Sequence, residues 1–188
     1  MEPAVRTLWT IGHSTLPMEK FLALLAAHAI RTVVDVRSIP RSRRSPWFSG
    51  DRLRETLSNT GTGYLWMPEL GGFRRPLQDS VNTGWTDPAF RGYADYLQGD
   101  AFSRAVDELV RIGGEGRTAV LCAEGNPYRC HRRLIADSLT VRSIRVLHIT
   151  SAHSAQEHRM TPFAQVHGTR ITYPAPSKDQ GDRQAPLR

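Results

Sequence analysis

Between Cys122 and Arg132 the chain reads Cys-Ala-Glu-Gly-Asn-Pro-Tyr-Arg-Cys-His-Arg, which packs two thiols, a carboxylate, an imidazole and two guanidiniums into one short segment. The run Thr118 to Leu121 before it is apolar, and the stretch Cys130 to Leu139 after it has helical spacing. Cys122 is therefore expected to emerge where a buried strand ends, with Cys130 opening a helix. The free N–H groups and positive pole at a helix start lower the pKa of a nearby thiol and attract anions.

Three chemistries compete for this segment. The first is cysteine catalysis, with Cys122 as nucleophile and Glu124 and His131 moving protons. The order strand, cysteine, loop, helix is similar to that of rhodanese-like sulfurtransferases and cysteine phosphatases. Phosphatase loops, however, carry their arginine where Tyr128 stands here; Arg129 falls one residue later. Glu124 would also repel a bound oxyanion. The second is a metal site, because Cys122, Cys130 and His131 are ligand types for a divalent ion and His13 can join them. Adjacent residues of a regular helix point about 100° apart, which counts against Cys130 and His131 sharing one ion. The third is packing: a buried cysteine often serves as a small hydrophobe, and Glu124 would pair with Arg129 or Arg132.

Other residues suit the same crevice. His13 and Ser14 follow the apolar run Leu8-Trp9-Thr10-Ile11. Asp35, at the end of Thr32-Val33-Val34, would orient His13 or pair with Arg37. The basic loop Arg37 to Arg44 holds Ser42 and Arg43, and forked guanidiniums beside a hydroxyl bind anions. Cys130 and Arg132 complete the candidate substrate contacts. Trp47, Phe48, Tyr64 and Trp66 offer faces on which bases can stack.

The elements that must position these groups alternate. Strands are expected at 8–11, 32–36, 64–67, 118–121, 144–149 and 171–173. Helices are expected at 17–29, 51–59, 87–112 with a break near Gly99, 130–139 and 156–166. Such alternation predicts a single α/β domain over residues 1–173, with an open, mostly parallel sheet covered by helices on both faces. Ligands of such sheets bind beyond the carboxyl ends of the strands, which selects His13-Ser14, Asp35 to Arg37, Pro68-Glu69, Cys122 to Glu124 and His148 to Ser151. From Pro174 the composition turns to Pro, Ser, Gln, Asp and Arg, which predicts a disordered tail over 174–188.

The formal net charge is +7, and Lys20 and Lys178 are the only lysines. An arginine-rich surface suits an anionic small molecule or nucleic acid. Two cysteines make no disulfide framework and fit a reducing compartment. No run of about eighteen apolar residues is present, so no membrane association is expected. The amino terminus lacks a secretory pattern, so a cytoplasmic location is expected.

Taken in order, the pieces resemble the domain-of-unknown-function family 488. They are Thr10-Ile11-Gly12-His13-Ser14, Asp35-Val36-Arg37, Leu70-Gly71-Gly72, Phe90-Arg91-Gly92-Tyr93, Cys122-Ala123-Glu124, Cys130-His131-Arg132 and Val146-Leu147-His148-Ile149. The resemblance runs over about residues 8 to 173 and implies an α/β fold with a pocket built from these motifs. It implies no reaction, so function must be argued from the site. The leading expectation is an enzyme acting on an anionic, nucleotide-like or nucleic-acid substrate. The alternatives are a nucleic-acid-binding module without catalysis and a metal-binding protein.

Overall fold

A computed structural model describes residues 6–176. Five strands run parallel: β1 (Thr7–Gly12), β2 (Thr32–Asp35), β3 (Gly63–Trp66), β4 (Thr118–Cys122) and β5 (Arg145–Ser151). A sixth, β6 (Ser154–Glu157), folds back antiparallel on β5, and the sheet order is β3-β2-β4-β1-β5-β6. The helices are α1 (Met18–Ala27), α2 (Gly50–Asn59), α3 (Pro88–Tyr96), α4 (Asp100–Glu115) and α5 (Arg132–Thr140).

The order of strands decides where the helices lie. From β1 the chain steps through α1 and α2 toward the β3 edge, then returns through α3, α4 and α5 toward β5. Right-handed crossovers in opposite directions place the two sets on opposite faces. The two cores follow. Trp9, Ile11, Val33 and Leu121 pack with Phe21, Leu25, Leu53 and Leu57 of α1 and α2. Leu8, Val34, Val120, Cys122 and Val146 pack with Phe102, Val106, Leu109 and Leu134 of α4 and α5. Strand residues alternate between the faces as the pleat demands. In α4, Phe102, Ala105, Val106, Leu109 and Ile112 form one buried stripe at helical spacing. Asp87 accepts the Ala89 N–H at 2.8 Å and Pro88 opens α3, so this helix starts where cap chemistry puts it.

Two expectations give way. The segment 156–166 forms no helix: Ser154–Glu157 is a strand, and Gln165–His167 (β7) pairs with Arg170–Thr172 (β8) as a hairpin. Pro162 disfavours helical backbone at Thr161, and Thr161 and His158 are drawn instead to Asp137. The last helix also begins at Arg132 rather than at Cys130, whose backbone is extended (φ −130°, ψ 151°). Of the expected tail, 174–176 are described, and Ala175 N donates to Thr83 Oγ1 at 3.1 Å; the rest lies outside the described residues. Among the described residues no helix is long and apolar enough to cross a membrane.

Candidate active site

The carboxyl ends of β1, β2 and β4 meet at one rim. His13 N donates to the Cys122 carbonyl at 3.1 Å and Ser14 N to the Ala123 carbonyl at 2.8 Å, so the two strand ends zip together. Close approach needs Gly12, where a Cβ would overlap the Glu124 carbonyl oxygen. Beyond the rim lies a cavity of about 440 Å³, whose wall includes Arg37, Gly72, Cys122, Glu124, Cys130 and His131. Arg41 and Arg129, both exposed, line it as well.

Both cysteines are buried and free. His131 Nδ1 lies 3.9 Å from Cys122 Sγ and 3.6 Å from Cys130 Sγ. Its Nε2 lies 3.2 Å from the Val36 carbonyl oxygen. A carbonyl only accepts, so Nε2 carries a hydrogen and Nδ1 turns toward the two sulfurs. The three potential ligand atoms all fall within 4.8 Å of one another. The objection that Cys130 and His131 diverge fails because neither sits inside the helix: Cys130 is extended and His131 only caps α5. Gly72 closes over the ring, and a Cβ there would stand 2.6 Å from His131 Nδ1. In the same way a Cβ on Gly92 would overlap the Arg74 carbonyl, so Gly92 lets the 72–74 loop settle on α3.

The two thiols differ in environment. Cys130 is held well below the usual thiol range by the hydrogen bond from Cys122, opposed by burial and reinforced by His131 and the charge of Arg132. The same bond, with burial, pushes the Cys122 thiol up. Cys130 is thus the first of the pair to carry negative charge, and Cys122 donates to it.

Arg132 does not reach the pocket as an anion clamp would. It is only 1% exposed. Its Nε donates to Cys130 Sγ at 3.5 Å, one terminal nitrogen to Thr10 Oγ1 at 3.3 Å and the other to the Glu124 carbonyl. Behind it runs a buried chain that joins His148, expected at a strand end, to Thr10, His158 and Asp137. Thr10 Oγ1 lies 2.7 Å from His148 Nδ1, His148 Nε2 lies 3.0 Å from His158 Nδ1, and His158 Nε2 lies 2.8 Å from Asp137. Burial and the neighbouring His158 push the His148 pKa down to about 3, so it is neutral. A carboxylate only accepts, so His158 Nε2 donates to Asp137, and with Thr10 donating to His148 Nδ1 the donors run one way, from Arg132 through Thr10, His148 and His158 to Asp137. The available sequence signal was a polar residue at an apolar position, Thr10 inside β1 and Asp137 in the run Leu134-Ile135-Ala136.

On the α1/α2 face Asp35 is fully buried and grips Arg37. Arg37 Nε and a terminal nitrogen donate to its carboxylate at 2.9 and 2.5 Å, and Tyr64 Oη donates at 2.7 Å. Burial works against the Arg37 charge, but the hydrogen bonds and charge of Asp35 outweigh it and raise its pKa. His13 stacks on Phe48 at 4.2 Å and donates from Nδ1 to the Ser14 carbonyl, so Nε2 accepts from Arg37 at 3.3 Å. Burial pushes His13 down to about 4. His13 therefore stands behind Arg37 and is absent from the thiol cluster. Glu124 lines the cavity but accepts from Asn126 N at 3.0 Å, turned onto its own loop. Ser42 and Arg43 line a second cavity of about 590 Å³, which shares Ser38, Ile39 and Arg41 with the first. Ser42 Oγ also accepts Ser45 N at 3.0 Å, which shapes its turn.

The family described as domain of unknown function DUF488 matches residues 17–139. The chain belongs to this family. The matched span carries Asp35, Arg37, Gly72, Cys122, Glu124 and Cys130 to Arg132, and leaves out His13 and His148. Comparisons with curated proteins and with solved structures find no match.

Proposed function

We propose that this DUF488 chain is an enzyme acting on an anionic substrate, a nucleotide or a nucleic-acid strand, with Cys122, Cys130 and His131 as its reacting centre. The observation that carries this reading is the meeting of two thiols and an imidazole on the wall of a cavity that also presents Arg41 and Arg129. A cavity of about 440 Å³ matches one small molecule. Charged and nucleophilic groups brought together in a concave site are the usual mark of chemistry rather than packing. Arg37 adds a fixed positive wall, oriented by Asp35. Glu124 is the cavity-lining carboxylate available for proton transfer.

The test is calorimetric titration with inorganic phosphate, nucleotides and a short oligonucleotide at low salt. Arg41→Ala and Arg129→Ala should each weaken binding about tenfold, the loss of one charge-assisted contact. Cys130→Ser should abolish turnover of the substrate so found while leaving its affinity within about twofold, since the sulfur removed is not an anion-binding group. A protein that binds none of these anions at low salt would sink the reading.

A second reading, nucleic-acid binding without catalysis, is favoured by the neighbouring cavity. Arg41, Arg43 and Arg54 alternate there with Tyr64 and Trp66. Trp66 remains 45% exposed although Nε1 donates to the Arg37 carbonyl at 2.9 Å, so its face is held toward solvent. Oligonucleotide affinity that falls steeply with salt, and survives Cys130→Ser without any turnover, would favour it over the enzyme.

A further inference from the structure

We propose that Cys122, Cys130 and His131 are three ligands of a divalent zinc-class ion, with the fourth coordination position open to the pocket. The ligand set is two thiolates and one imidazole, which suits a borderline-soft ion. Geometry carries the case. Metal–sulfur bonds of about 2.3 Å and a metal–nitrogen bond of about 2.05 Å, set at tetrahedral angles, put sulfur and nitrogen about 3.6 Å apart. The two observed separations are 3.6 and 3.9 Å, and all three atoms fit within 4.8 Å.

The surroundings match a built site. His131 Nε2–H is anchored on the Val36 carbonyl at 3.2 Å, the outer contact that fixes the tautomer and aims Nδ1 at an ion. Arg132 Nε–H donates to Cys130 Sγ at 3.5 Å and steadies that sulfur. Cys122 ends β4, His131 caps α5, and Cys130 is the extended residue immediately before that cap. Gly72 leaves room for the ring, and all three residues line the open cavity, so water or a substrate oxygen can reach the remaining position. On binding, thiol protons and metal-bound waters leave to solvent, two sulfur–metal bonds and one nitrogen–metal bond form, and no electron changes hands. The use of the open position for chemistry rests on the enzyme reading above; the ion itself does not.

The experiment uses the full chain without a histidine tag, reduced, stripped with chelator and titrated with Co²⁺. One Co²⁺ per chain should bind with a thiolate-to-metal charge-transfer band, and Zn²⁺ should bleach it one for one. Cys130→Ser and His131→Ala should each lower affinity by at least about a hundredfold, the upper range for losing even an outer-shell partner. Should those variants fail to fold, the unaltered protein still decides: Zn²⁺ should protect both thiols from iodoacetamide, and chelator should restore the reaction. No charge-transfer band, with alkylation rates indifferent to Zn²⁺, would overturn the proposal. Phosphate titration of the stripped protein separates the two readings. Anion binding without metal uptake removes the ion alone, whereas metal uptake without anion binding removes the substrate reading alone.

Discussion

Asp35 and Asp137 are both completely buried carboxylates, and each belongs to a hydrogen-bond network that contains an imidazole. Asp35 spends its bonds on Arg37 and Tyr64, and the guanidinium it holds lines the pocket. Asp137 accepts from His158, from Thr161 N–H and hydroxyl, and from the Tyr173 hydroxyl. None of those partners lines the thiol cavity. Asp137 instead ties α5 to the segment after β6 and to the end of the β7–β8 hairpin, three stretches distant in sequence. One carboxylate holds a charge at the cavity wall and the other closes the core. The Asp35 network faces the cavity directly through Arg37, whereas the Asp137 network reaches it only at its far end, through the bond from Arg132 to Cys130.

The largest test of this contrast is Asp137→Ala. It would leave four buried donors without an acceptor and should cost on the order of 5 kcal/mol, or abolish folding, by chemical denaturation. Asp35→Ala strands the buried Arg37 guanidinium, which keeps its contact with His13, together with the Arg37 N–H and the half-buried Tyr64 hydroxyl, and should cost about 3 kcal/mol. Here the comparison can be broken: Asp35→Leu combined with Arg37→Met should recover most of the stability while anion affinity stays low. If the double variant is as unstable as the single one, Asp35 is structural in the same sense as Asp137.

Acid provides the next measurement. The His13 and His148 pKa values lie at about 4 and about 3, both lowered chiefly by burial from 6.5. The unfolded chain therefore takes up protons that the folded chain refuses. The stability these rings contribute is complete above pH 6.5 and is lost as pH falls toward 4 and then 3. The loss should reach a few kcal/mol in that window. His13→Gln removes one titrating ring from the pocket side and should make the slope shallower without flattening it, because His148 on the core side remains.

The smallest effect is expected at Arg43, which is exposed and lines only the second cavity. Arg43→Ala should leave stability within about 0.5 kcal/mol and leave small-anion affinity unchanged. It should lower the salt dependence of oligonucleotide binding by about one unit of slope. A loss of phosphate affinity in this variant would mean that the two cavities act as one site.

Much of this arrangement was legible in the sequence. The alternation of apolar strands and amphipathic helices predicted the parallel sheet, and the rule that ligands sit beyond strand carboxyl ends selected Cys122, His13, Asp35 and Arg37. The segment 156–166 misled because its polar and apolar residues have helical spacing, whereas Pro162 and the pull of Asp137 on His158 and Thr161 shape its backbone. The strand-end rule also selects His148, but its buried connection to Thr10, His158 and Asp137 was hidden because these residues lie far apart along the chain.

Residue types and local spacing were enough to determined the family motifs, the strand–loop–helix frame and the two thiols with their imidazole. Only tertiary structure decided which groups meet. It turned Arg132 inward to hold Cys130, Thr10 and the Glu124 carbonyl, left Arg41 and Arg129 at the cavity wall, and aimed His131 Nδ1 at both sulfurs. The physical reason is range. Helix and strand preferences are set by near neighbours, whereas the direction of a guanidinium or an imidazole is set by whichever buried acceptor the fold brings to it from another strand.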